Sequence, residues 1–158
     1  MRNLQRSQWD IIIFLSGVSG VVFLDRLTKR FFSGFLDLNE SIAVVRNFFH
    51  FTLVHNTGIA FGFFKDQGIV FIIIPMILTG LLIYNIYYYR HSPTLSRTYI
   101  VAFSLILGGA IGNLIDRVSL GYVIDFIDFR IWPVFNVADS AITIGAAIIL
   151  LKCIPASK

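Results

Sequence analysis

The chain has 158 residues and a net charge of +4; 56% of its residues are hydrophobic and only 14% charged. A soluble domain carries about 25% charged residues, so this composition, with a mean hydropathy of +0.78, excludes a soluble globular protein and points to one compact integral membrane domain over 1–158. The basic residues are scattered rather than clustered, which argues against nucleic acid and suits anionic lipid headgroups, and a single cysteine excludes an internal disulfide or a cysteine metal site.

The first apolar run covers about 10–32 and is preceded by Arg2 and Arg6, a basic start that resembles a cleavable secretory leader. No small-residue cleavage site closes it, and its end runs into Asp25-Arg26-Leu27-Thr28-Lys29, so an uncleaved first span is expected. The segment 33–67 follows. Phe49, Phe51 and Leu53 alternate there with His50, Thr52 and Val54, the period of a half-buried strand. Nine of the sixteen phenylalanines lie between Phe31 and Phe64, a density that suits a small β platform in the membrane interface, with a plain packed loop as the alternative. Asn56 to Gly62 reads, from the segment alone, as an ordinary polar, small-residue turn before the second span, with a turn in which Asn56 and Gly58 meet a substrate backbone as the functional alternative.

Three further apolar runs cover about 68–89, 98–115 and 138–154. Each approaches the ~20 residues needed to cross a bilayer, and lipid requires such spans to be helical. The predicted fold is therefore an all-α integral membrane protein with four transmembrane helices and a small interfacial β platform between helices 1 and 2. An even number of spans gathers Asp25, Lys29, Asn56, Asn113, Asp116, Arg117, Asn136 and Asp139 at one membrane face. Lys and Arg counts on the two sides nearly balance, so charge does not decide which face that is.

Between the last two runs, 113–139 holds four of the nine acidic residues. Charged groups at membrane depth are costly and usually carry function. Asn113, Asp116 and Arg117 share a helix face, and Asp116 with Arg117 reads as a structural pair. Asp125 is flanked by apolar residues with no adjacent cation. Asp139 reads as an acid in the first turn of the last span, with Asn136 as its N-cap. Asp128 beside Arg130 reads as a solvated loop acid. Two carboxylates in a dry site can share one proton, one activating water while the other donates to a carbonyl, so Asp125 and Asp139 are the candidate pair. A Ser–Lys dyad on Lys29 has no supporting spacing, His50, His55 and His91 lack metal-ligand spacing, and no cofactor or metal is expected. Whether 121–133 forms a lid or an anchored interfacial segment stays open at this level. A small transporter or proton-coupled channel and a non-catalytic binding or assembly factor are the rival classes.

Five motifs in order resemble those of the lipoprotein signal peptidases, also called signal peptidase II. They are Leu24-Asp25-Arg26-Leu27-Thr28-Lys29, the segment from Asn56 to Gly62, Gly108 to Arg117, Val123-Ile124-Asp125-Phe126, and Phe135 to Asp139. The resemblance covers nearly the whole chain. It implies an intramembrane aspartic endopeptidase that removes the signal peptide of diacylglyceryl-modified prolipoproteins just before the lipidated cysteine. It further implies Asp125 and Asp139 as the catalytic dyad, with Asn56, Gly58, Asn113, Arg117 and Asn136 binding substrate and Asp25, Lys29 and Asp116 supporting the site. The implied setting is a bacterial inner membrane, with both termini cytoplasmic, the site on the outer face, phospholipids around it, a monomer and no nucleic acid. Arg26 departs from the family pattern, where glutamine is commoner, and so does Ile59, where a smaller residue is frequent.

Overall fold

The computed structural model describes residues 2–58 and 96–153 and, between them, positions 73, 75–77, 79–81 and 84, all of these last helical. The elements in chain order are α1 (Arg2–Phe35), β1 (Ser41–Val45), β2 (Phe49–Asn56), α2 (Arg97–Leu120), β3 (Val123–Asp128) and α3 (Val137–Cys153). Among the described residues, two helical stretches are long and apolar enough to qualify as membrane spans, Gln8–Phe35 and Arg97–Leu120. These contain the first and third predicted runs; α3 matches the fourth to within a residue, and most of the second, 68–89, lies outside the described residues.

Glycines let the helices approach closely, as small residues do between membrane helices. On α2, Gly108 meets the Val18 carbonyl and the Val21 side chain of α1, and Gly109 meets the Ala138 carbonyl of α3. A Cβ on Gly112 would lie 2.7 Å from Asp25 Oδ2, so only glycine leaves room there for a buried carboxylate. Trp9, Ile12, Leu15, Phe23, Leu27 and Phe31 of α1 are more than half exposed, as lipid-facing side chains would be.

The sheet is antiparallel with order β1-β2-β3. Its third strand comes from the far side of α2, so the platform is not confined to the segment between the first two spans. Sequence periodicity missed β3 because Val123, Ile124, Asp125 and Phe126 are all buried, leaving no alternation to read. Gly121 makes the strand possible: it closes α2 in the left-handed region at φ 82°, its N–H donating to the Arg117 carbonyl at 3.1 Å. Two residues later the chain is extended, so the strand departs directly from the helix end. Of the 121–133 segment, 123–128 is thus a fixed strand, and Ile131 and Trp132 stand exposed at the tip of the following loop. A bridge between Ile127 and Phe135 ties the loop's return to β3.

Phe32, Leu36, Leu53, Ile124 and Phe126 form an apolar cluster that fastens the sheet to the end of α1. Phe32 lies 4.3 Å from Phe126 and 4.6 Å from Phe51 between ring centroids. The polar groups described next sit beside this cluster, where α1, α2, β3 and α3 meet.

Candidate active site

Lys29 is the hub of a buried charge cluster. Its ammonium lies 2.9 Å from Asp25 Oδ2, 2.7 Å from Asp116 Oδ2 and 3.0 Å from Asn113 Oδ1. Asp25 is the neighbour one helical turn back on α1, while Asp116 and Asn113 come from α2. Arg26, partly exposed, adds contacts to Asp116 and, at 3.4 Å, to Asp25. Two cations thus balance two fully buried carboxylates, the condition under which such burial is tolerated. The spare carboxylate lone pairs fix the backbone: Ala138 N–H donates to Asp25 at 3.2 Å, and Ile124 N–H donates to Asp116 at 3.2 Å. One ionic cluster therefore locks the start of α3 to α1 and the start of β3 to α2.

These contacts correct two expectations. Asp116 pairs with Lys29 and Arg26, not with Arg117, because consecutive helix residues diverge by about 100° and Asp116 takes the inward direction. Asp128 is buried on β3 rather than a solvated loop acid. It accepts from Thr52 Oγ1 and from the Arg130 backbone, both at 2.7 Å.

The lock holds a second constellation. Asn136 caps α3: its Oδ1 accepts the Asp139 N–H at 2.9 Å, while Asp139 Oδ2 accepts the Asn136 N–H at 3.3 Å, a reciprocal capping box. That motif fixes the Asp139 carboxylate at the helix mouth. The other end of the Asn136 amide, Nδ2, donates to Asp125 Oδ1 at 2.7 Å and faces Asn113 Oδ1 at 3.0 Å and the Ile124 carbonyl at 3.2 Å. Asn113 Nδ2 in turn donates to Asp139 Oδ1 at 2.7 Å. The two candidate acids are thus joined through a pair of asparagine amides.

Asp125 reaches this point from the sheet. It lies opposite Val54 in the register, and Asn56, one diagonal step away on the same face, donates to Asp125 Oδ2 at 2.9 Å. Asn56 Oδ1 also accepts the Gly58 N–H at 3.1 Å, so the turn after β2 orients the amide. Burial, and then the negative charge of Asp139, push the Asp125 carboxyl up to about 7. Arg117 sits half-buried, its positive charge facing Asp139, Asp125 and Asp116. All ten candidate residues from the sequence therefore fall in or against one site, with 59–62 of the turn outside the described residues. The contribution missed was Arg26 as a partner of Asp116, ninety positions away; the only sequence signal was its place beside Asp25.

The profile of the family described as Signal peptidase (SPase) II matches residues 18–155. The chain belongs to the signal peptidase II family. Among curated relatives, a lipoprotein signal peptidase of Halothermothrix orenii is 44% identical over 131 residues, covering 83% of this chain and 88% of the relative. One of Caldanaerobacter subterraneus is 47% identical over 133 residues, covering 84% and 89%. A solved bacterial membrane enzyme at 2.3 Å resolution superposes with a TM-score of 0.77 at 34% identity, covering 92% of this chain and 87% of the other. Another, at 1.9 Å resolution, gives a TM-score of 0.77 at 32% identity, covering 95% of each. As a member of the family, the chain is a membrane peptidase.

Proposed function

We propose that this signal peptidase II family member is an aspartic endopeptidase that removes the signal peptide from diacylglyceryl-modified prolipoproteins, cleaving just before the lipidated cysteine. One observation carries the reading. Asp125 and Asp139 are linked through the Asn136 and Asn113 side-chain amides, Asn136 donating to Asp125 and Asn113 to Asp139, and Asp125 is raised to about 7 by burial and by Asp139. A pair poised to share one proton near neutral pH is what general acid–base hydrolysis of an amide needs.

In the proposed step, the pair carries a single proton, on Asp125. Asp139, facing Arg117, takes a proton from water as the water oxygen bonds to the scissile carbonyl carbon. Asp125 gives its proton to the carbonyl oxygen. Collapse of the tetrahedral intermediate breaks the C–N bond, the leaving cysteine amine takes the proton from Asp139, and the carbonyl returns its own to Asp125. Asn56, Gly58, Asn113, Arg117 and Asn136 contact the cleavage segment or orient the acids, while Asp25, Lys29 and Asp116 hold the frame. Pairing of Lys29 with two carboxylates and Asn113 argues against its use as a neutral base for serine.

The same reading makes the chain a single monomeric domain with four spans in a bacterial inner membrane, among its phospholipids. Both termini are cytoplasmic, and the site opens on the outer face. The test is incubation of detergent-purified protein with a diacylglyceryl-modified prolipoprotein, beside Asp125→Asn and Asp139→Asn. Cleavage is expected for the wild type and a loss of about 100-fold or more in each variant. Normal turnover in either variant would discard the dyad.

A further inference from the structure

On the side of α1 near its end lies an open groove of about 550 Å³, lined by Arg26, Lys29, Arg30, Ser33, Gly34 and Ile124. Ile124 and Asp125 are consecutive on β3, so their side chains point to opposite faces of the strand. The groove therefore lies across the strand from the Asp125 carboxylate, with Arg26 and Lys29 of the ionic cluster forming part of its wall.

Its charge is unbalanced in a specific way. Arg26 and Lys29 are matched by Asp25 and Asp116, four charges that cancel. Arg30, one helical turn beyond Arg26, is exposed and has no carboxylate partner among the described residues. The Ser33 hydroxyl likewise has no hydrogen-bond partner there, and the Gly34 Cα faces open space, with nothing within 4 Å of where a Cβ would stand. One cation, one hydroxyl and an open wall suit a single monoanion with several acceptor oxygens. Next to this polar patch on the same helix run Phe23, Leu27 and Phe31, each more than half exposed, so the apolar stripe is continuous with the basic groove.

We propose that this groove binds the phosphodiester headgroup of an anionic glycerophospholipid, with Arg30 and Ser33 holding phosphate oxygens and the acyl chains along Phe23, Leu27 and Phe31. A phosphodiester carries one negative charge and matches Arg30, the cation lining the groove that has no ion pair among the described residues. A diacylglyceryl-modified cysteine carries no phosphate, so this is a site for a resident lipid and not for the scissile precursor. Its occupant would brace α1 at the level where Lys29 and Asp25 organise the peptidase centre.

The experiment is native mass spectrometry of the detergent-purified full chain titrated with phosphatidylglycerol, phosphatidylcholine or inorganic phosphate. Phosphatidylglycerol is expected to bind in preference to phosphatidylcholine, and Arg30→Gln to reduce that preference about fivefold, the effect of one basic residue at a lipid surface. Arg46→Gln, at an exposed arginine in the β1–β2 turn, is expected to leave it unchanged, and Gly34→Leu, which fills the groove and keeps the charge, to lower phosphatidylglycerol binding. Equal binding of the two lipids, or equal losses from Arg30→Gln and Arg46→Gln, would overturn the site. Displacement of phosphatidylglycerol by inorganic phosphate would make it a free-anion pocket and also overturn the proposal.

Discussion

Replacing Asp125 by asparagine separates what this residue costs the fold from what it does in the proposed chemistry. In the folded chain the carboxyl titrates near 7, against an ordinary value of 3.8, because burial and then Asp139 disfavour its charge. A carboxylate with a raised folded value exerts no pH-dependent penalty while both states are protonated, below the unfolded value. As pH climbs, the unfolded chain gains by ionising while the folded chain does not, and stability falls until the folded value is passed. At 1.36 kcal/mol per pH unit, roughly three units correspond to about 4 kcal/mol. Asparagine removes that slope. It also introduces an NH₂ where Asn56 and Asn136 both donate, and their own oxygens are committed to Gly58 and Asp139, so one bond is lost at about 1 kcal/mol independent of pH. Thermal unfolding in detergent at a series of pH values should show the wild-type midpoint falling by about 10 °C between pH 4 and 8 relative to Asp125→Asn. The variant should be slightly weaker at pH 4 and more stable at pH 8, while inactive throughout. Parallel profiles for the two proteins would refute the placement of a reluctant acid at this position.

Cleavage of a lipidated precursor should decline as pH rises through about 7, where Asp125 gives up the proton the pair needs; a rate still climbing at pH 9 would contradict this. Lys29→Met leaves Asp25 and Asp116 buried with only Arg26 to answer them, so a loss of about 3–5 kcal/mol is expected in chemical denaturation, with partial recovery in Lys29→Arg. Gly112→Ala sets a methyl against Asp25 Oδ2 at 2.7 Å and should cost about 1–3 kcal/mol, whereas Gly20→Ala, which meets nothing within 4 Å, should be neutral or mildly stabilising by thermal shift.

Much of the site could be read from the chain because its parts are local. The capping box needs only Asn136 and Asp139 three positions apart at the start of an apolar run, and the structure builds it there. The alternation at Phe49–Val54 announced β2, since Phe51 and Leu53 pack on the apolar cluster while Thr52 between them donates to Asp128. Apolar composition and run length placed α3 to within a residue, while α1 and α2 contain their predicted runs and extend several residues beyond them.

Other features needed the folded chain, for a common physical reason. β3 is buried on both faces, so it has no period to betray it, and Asp128 read as a solvated loop acid although it lies on the strand that pairs with β2. Asp116 sits beside Arg117 in sequence, yet a helix turns the two apart, and its counter-charges come from α1, nearly ninety residues back. Composition determines that this protein lives in lipid, and motif order determines its family. Which charges neutralise each other, and which two acids share an amide bridge, is decided only by helix approach at Gly108, Gly109 and Gly112. Coulomb and hydrogen-bond energies depend on distance in space, and distance along the chain does not encode it.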